Sequence, residues 1–146
     1  CTNKQEHLSN DLLKKIGIYD FFEYVAGSDT FDYCKPDPRH LTNVVEILDG
    51  DVKKTIMIGD SETDANAAKA AEIPIILLEN GYTEKNTTEI YHNHLIKDYV
   101  GIEKLISNVF FHLNHCLIEY IPFQALLVFY FKLLTITYSS PNYQSK

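Results

Sequence analysis

The chain predicts an α/β protein built on a doubly wound, parallel sheet. Three observations lead there. The apolar runs Thr55-Ile56-Met57-Ile58 and Ile73–Leu78 are continuous rather than alternating, as in strands buried on both faces. Segments of helical period separate them, and strands alternating with helices argue for parallel pairing. Gly59-Asp60 lies between the first run and an alanine-rich stretch, Ala65–Ala71, so that a helix starts at once after a strand end. Ligands bind at the carboxyl ends of strands in such sheets.

Element by element, Gln5 to Ile16 reads as a helix with Leu8, Leu12, Leu13 and Ile16 on one face, ended by Gly17. Tyr24-Val25-Ala26-Gly27 is a short strand candidate. Lys35-Pro36-Asp37-Pro38 is a loop, because residues before proline are pushed out of helical geometry. Asp37 then caps a helix with Pro38 at its first position, running to about Leu48 with Leu41, Val44, Val45 and Leu48 inward. Asp49-Gly50-Asp51 is a turn. After the first strand, a helix is expected from Ser61 to about Glu72, then the strand Ile73–Leu78 and a turn at Asn80-Gly81. Glu84 to His94 is polar and loop-like. His94–Lys97 forms a last short strand and Val100–Ile106 a last helix.

From about Ser107 the character changes, and residues 107–146 are read as an apolar tail following a domain of residues 1–106. No clean period of 3.6 or 2 runs through it, and Pro122 interrupts any long helix. Between Tyr120 and Tyr138 ten strongly apolar residues supply about −3 to −6 kcal/mol toward membrane insertion. Lys132 opposes this by roughly +2.5 to +3.5 kcal/mol, and Pro122 and Gln124 add to the cost. The sum lies near zero. A membrane span, a segment packed on the domain or on a partner, and a non-native extension such as read-through all stay open, with membrane contact not favoured.

The length fits one domain, and the net charge of −7, with a single arginine, argues against a nucleic-acid partner. Cys1, Cys34 and Cys116 are scattered and odd in number, which speaks against a disulfide framework or zinc site. No secretory signal is recognisable at the start, and a cytoplasmic location is expected.

The chemistry concentrates in Ile58-Gly59-Asp60-Ser61-Glu62-Thr63-Asp64. Asp60 and Asp64 bracket the strand-to-helix turn and offer the carboxylate oxygens that a hard cation such as Mg²⁺ takes. Ser61-x-x-Asp64 also fits a capping box, which merely satisfies free N–H groups of the helix start; the two readings are compatible. The six histidines are dispersed. His112 and His115, three apart, are weak metal candidates.

With these residues placed, the chain resembles the haloacid dehalogenase superfamily of phosphohydrolases, and within it the phosphoglycolate phosphatases. Thr2-Asn3-Lys4 resembles the second family motif, a strand-end hydroxyl that hydrogen-bonds a phosphoryl group. Lys35, followed by Pro36-Asp37-Pro38, resembles the third, whose lysine steadies phosphoryl oxygens and nucleophile. Gly59–Asp64 resembles the fourth, whose acids hold Mg²⁺, and Asn80-Gly81-Tyr82 the segment after the next strand. The resemblance covers residues 1–106. It implies a Rossmann-type three-layer sandwich, catalytic roles for Lys35 and Thr2, phosphate binding by Thr2, Asn3 and Lys35, and a metal site at Asp60 and Asp64. The implied cofactor is Mg²⁺ and the substrate a small phosphomonoester such as phosphoglycolate.

The family's nucleophile is the first Asp of a DxD motif ending an earlier strand. The one DxD here, Asp49-Gly50-Asp51, follows a helix and reads as a surface turn. The expectation is therefore an incomplete sheet: a truncated or split carboxyl-terminal part, inactive alone, with a separate amino-terminal fragment carrying the nucleophile as partner. The alternative is a non-catalytic remnant that binds a partner through its apolar tail. A receiver domain with Asp60 as phosphoacceptor would need an acidic cluster after an earlier strand, and none is visible.

Overall fold

The computed structural model describes residues 1–81, 83–113 and 136–139. Among the described residues four α-helices, α1 (Glu6–Lys15), α2 (Arg39–Ile47), α3 (Glu62–Ala70) and α4 (Ile102–Leu113), accompany four strands. These are β1 (Thr55–Gly59), β2 (Ile75–Leu78), β3 (His94–Ile96) and β4 (Ile136–Ser139), in the sheet order β3-β2-β1-β4. β1 pairs parallel with β2, Met57 opposite Ile75, and β2 parallel with β3, Leu77 opposite Leu95. β4 lies antiparallel on the other edge of β1, from Thr55 opposite Ser139 to Ile58 opposite Ile136.

The sheet is covered on both faces, which explains the continuous apolar runs of its central strands. Side chains alternate across a strand. Met57, Ile75 and Leu77 point into one core with Leu41 of α2 and Ala65, Ala67 and Ala68 of α3. Ile56, Ile58 and Ile76 point into the other with Ile102 of α4, against which Leu105, Ile106 and Val109 also pack. All five residues of β1 are buried. The parallel three-layer α/β arrangement expected from the sequence is thus present.

Three local expectations change. Tyr24–Gly27 is not a strand; it runs beside the amino-terminal segment through only two bonds, Thr2 N–H to the Ala26 carbonyl and Ser28 N–H to that of Lys4. Thr2 consequently sits in a loop, not at a strand end. The last helix does not stop at Ile106, so the boundary between 106 and 107 falls inside α4. The reason is the spacing of Ile102, Leu105, Ile106 and Val109, one continuous helical stripe on the sheet. Residues 136–139, read as part of an appended tail, form β4. The membrane-span reading and His115 fall mostly or wholly outside the described residues; among the described residues no helix is long and apolar enough to cross a membrane.

Candidate functional site at the carboxyl end of β1

β1 ends at Gly59, and the chain turns through Asp60 and Ser61 into α3. Ser61 is the helix N-cap, and a reciprocal capping box forms: the Asp64 N–H donates to Ser61 Oγ at 3.2 Å, while Asp64 Oδ2 accepts from the N–H of Ser61 at 3.2 Å. Oδ2 also accepts from Ser61 Oγ–H at 2.7 Å and from the Asp60 N–H at 3.1 Å. This carboxylate folds back over Gly59, where any Cβ would lie 2.5 Å from the Asp64 Cβ. Glycine before the turn is therefore a requirement of close approach, not of dihedral freedom.

The other oxygen reaches across the fold. Asp64 Oδ1 receives the Lys35 ammonium at 2.6 Å, in a pair whose side chains are only 7% and 5% exposed. Lys35 Nζ also donates to the Cys1 carbonyl at 2.9 Å, and the Asn3 amide donates to the Lys35 carbonyl at 2.8 Å. Segments 1–3, 33–35 and 59–64 are thereby drawn together. Burial alone would push the Asp64 carboxyl up. The Lys35 charge, its hydrogen bond and those from Ser61 and Asp60 outweigh burial and hold the group below the ordinary carboxylate range.

The five residues singled out in the sequence thus converge, with differences of role. Asp64 has both oxygens engaged by protein donors. Asn3 spends its amide on the Lys35 backbone. Thr2 is buried, and its Oγ1 accepts from the Lys4 N–H at 3.1 Å. Asp60 stands half-buried at the strand end. Two further residues flank it that the sequence reading did not assign to the site. Gly81, after β2, approaches so closely that a Cβ there would sit 1.9 Å from the Asp60 carbonyl oxygen. Tyr99, after β3, has its phenol pushed up by burial and then by the Asp60 charge. The signal for Gly81 was present as the glycine closing a turn after a central strand; nothing in local sequence marks Tyr99.

Asp49-Gly50-Asp51 is the exposed turn expected, with Asp49 in the left-handed region at φ 53° and Asp51 accepting from the Lys53 N–H. It lies at the amino end of β1, away from Asp60 by the length of a five-residue strand, about 16 Å.

Among the described residues no group of three or more His, Cys, Asp or Glu could hold a metal. Mg²⁺ does not need one: it keeps several waters and uses one or two carboxylates together with substrate phosphate. One half-buried oxygen donor at a strand end, Asp60, fits that mode.

Residues 1–78 match the haloacid dehalogenase-like hydrolase family. The chain belongs to this family. Among curated relatives it is 41% identical over 99 residues to a phosphoglycolate phosphatase of Mesorhizobium japonicum, covering 68% of this chain and 44% of that protein. It is 39% identical over 112 residues to a phosphoglycolate phosphatase of Agrobacterium fabrum, covering 73% and 48%. The chain therefore spans about half the length of the curated relatives it matches. The haloacid dehalogenase-like fold recurs in the crystal structure of a predicted phosphoglycolate phosphatase from Haemophilus somnus, with a TM-score of 0.67 at 23% identity over 70% of this chain and 46% of that one.

Proposed function

We propose that this chain supplies the phosphate- and metal-binding part of a Mg²⁺-dependent phosphomonoester hydrolase of the phosphoglycolate phosphatase type. The observation that carries the reading is the buried Lys35–Asp64 pair, 2.6 Å long, beside Asp60 at the carboxyl end of a central strand. The similarity to phosphoglycolate phosphatases supports the substrate class.

Lys35 brings a positive charge to a phosphoryl dianion, where charge develops in the transition state. Asp64 acts as a positioning residue. Its Oδ1 holds the ammonium and its Oδ2 locks the turn from which Asp60 projects. Asp60 would hold Mg²⁺, which when bound offsets phosphate charge and repulsion toward an attacking carboxylate. The Thr2 hydroxyl, whose oxygen already accepts from Lys4, retains its proton as a donor toward a phosphoryl oxygen. Asn3 keeps the lysine segment in register rather than meeting phosphate directly. The attacking carboxylate belongs, in this reading, to a DxD strand on the amino-terminal part of the protein.

The test supplies that part. Mix the chain with the DxD-bearing portion of a related phosphoglycolate phosphatase and assay phosphoglycolate hydrolysis with Mg²⁺. Turnover should appear only in the mixture and vanish with Lys35→Ala or Asp60→Asn. Turnover that survives both substitutions would refute the assigned roles.

A further inference from the structure

We propose that His40 is a positioning residue for Lys35: its neutral imidazole, with the proton on Nδ1, fixes the backbone from which the lysine projects. The assignment rests on the phosphate role proposed for Lys35.

His40 is the second residue of α2, and it is fully buried. Its Nδ1 lies 3.2 Å from the Tyr33 carbonyl oxygen. A carbonyl only accepts, so this bond requires the proton on Nδ1. In the neutral ring Nε2 then keeps a lone pair, and among the described residues it has no hydrogen-bond partner. Burial above all lowers the ring's pKa and outweighs the pull of the Tyr33 carbonyl, with the Lys35 charge a lesser cause in the same direction as burial. The ring therefore stays neutral. A leucine would occupy this space without an orphaned nitrogen. What the imidazole offers instead is its bond to Tyr33.

That bond acts two residues before Lys35. α2 grips Tyr33 at other points too. Arg39 stacks over its ring at 4.1 Å, and the Asn43 amide donates to its hydroxyl. Phe31 is stacked on Tyr33 at 5.8 Å and stands edge-on to His40 at 5.6 Å. The Ala26 carbonyl also acts on the His40 ring, and this same carbonyl accepts the Thr2 N–H at 2.8 Å. One buried side chain thus lies within reach of the segment leading to Lys35 and of the one that backs Thr2.

Asp64 holds the head of Lys35, and His40 holds its root. A lysine is a point charge on a long, flexible stem. An ion pair fixes where that charge sits only if the backbone beneath the stem is fixed as well. Misplacing a group that stabilises transition-state charge by about 1 Å lowers turnover by about a hundredfold. Because that stabilisation is realised in the transition state, the loss should fall on kcat rather than on KM.

The experiment uses the full chain. His40→Asn offers an amide N–H near the Nδ1 position, His40→Gln offers one near the Nε2 position, and His40→Leu offers none. Nitrogen NMR at pH 7 should show the wild-type ring neutral with its proton on Nδ1. Backbone amide signals of Cys34 and Lys35 should move in His40→Leu and His40→Gln and stay near wild type in His40→Asn. In the mixture with the DxD-bearing portion, kcat for phosphoglycolate should fall about tenfold or more in His40→Leu and His40→Gln, with KM changed by less than about twofold. His40→Asn should bring kcat back to within about threefold of wild type. A proton on Nε2, a charged ring at pH 7, or equal amide shifts in His40→Asn and His40→Gln would overturn the proposal, as would a kcat unmoved by His40→Leu. If the wild-type mixture shows no turnover, the proposed function fails, and the ring and amide signals still decide the role of His40.

Discussion

Lys35 and Asp64 form a buried ion pair, and such pairs reveal themselves when one partner is removed. Lys35→Met should cost about 3–5 kcal/mol, because a buried carboxylate is left uncompensated. The double variant Lys35→Met/Asp64→Asn should cost less than the sum of the single changes, by about 1–3 kcal/mol, in a denaturation cycle. The same pair sets a pH dependence. Asp64 is held below its ordinary range when folded, so the unfolded chain binds more protons in acid. Its contribution is complete above the unfolded value of about 3.9 and is lost as pH falls from there toward the lower folded value. Urea unfolding between pH 6 and pH 3 should show this loss, and Asp64→Asn should flatten it. Residue identities were readable in the sequence because strand, turn and cap are local. Their division of labour was not. Whether a carboxylate faces a cation, a lysine or its own helix depends on what lies 29 residues away.

At the scale of elements, α3 shows how local signals and packing agree. Ser61→Ala should destabilise by about 1 kcal/mol through loss of the cap. Ala68→Leu should cost about 1–3 kcal/mol, since Ala65, Ala67 and Ala68 are fully buried where α3 meets the sheet and an added side chain overfills that contact. Thermal unfolding monitored by circular dichroism tests both. The parallel strands β1 and β2 were legible as continuous apolar runs, and α2 and α3 from proline, cap and alanine signals. β4 was not. Ile136–Ser139 carries an alternation only four residues long, and its place depends on an edge formed some eighty residues earlier. The reach of α4 to Leu113 was hidden for another reason: the aromatic run after Ser107 masked a helical stripe already begun at Ile102. Tyr24–Gly27 misled in the opposite sense, with strand-like residues and no ladder to join.

In the whole molecule, the sheet brings three non-adjacent segments to one end of β1, and its order explains why Asp60 is flanked by Gly81 and Tyr99. Both follow strands on the same side, β2 and β3, and both arrive at the same carboxyl-end rim. Gly81→Ala should displace Asp60 and its turn, because backbone oxygen rather than a yielding side chain occupies the space. Backbone amide shifts at Asp60 and Ser61 larger than those at β3 would show it; unchanged shifts there would remove Gly81 from the site. The crosslink from Lys35 to Asp64 also bears on kinetics. β1, α3 and β2 form a unit closed by pairing between residues only eighteen apart, Met57 and Ile75. The ion pair and the Asn3–Lys35 bond span 29 and 32 residues, with a larger loop-closure entropy. The strand–helix–strand unit should therefore organise first and the charged rim last. Substitution of Ala67 by glycine would then slow refolding, whereas Lys35→Met would chiefly speed unfolding. A binding rim that assembles last is also the first to open, so local opening there should precede global unfolding as the chain is destabilised.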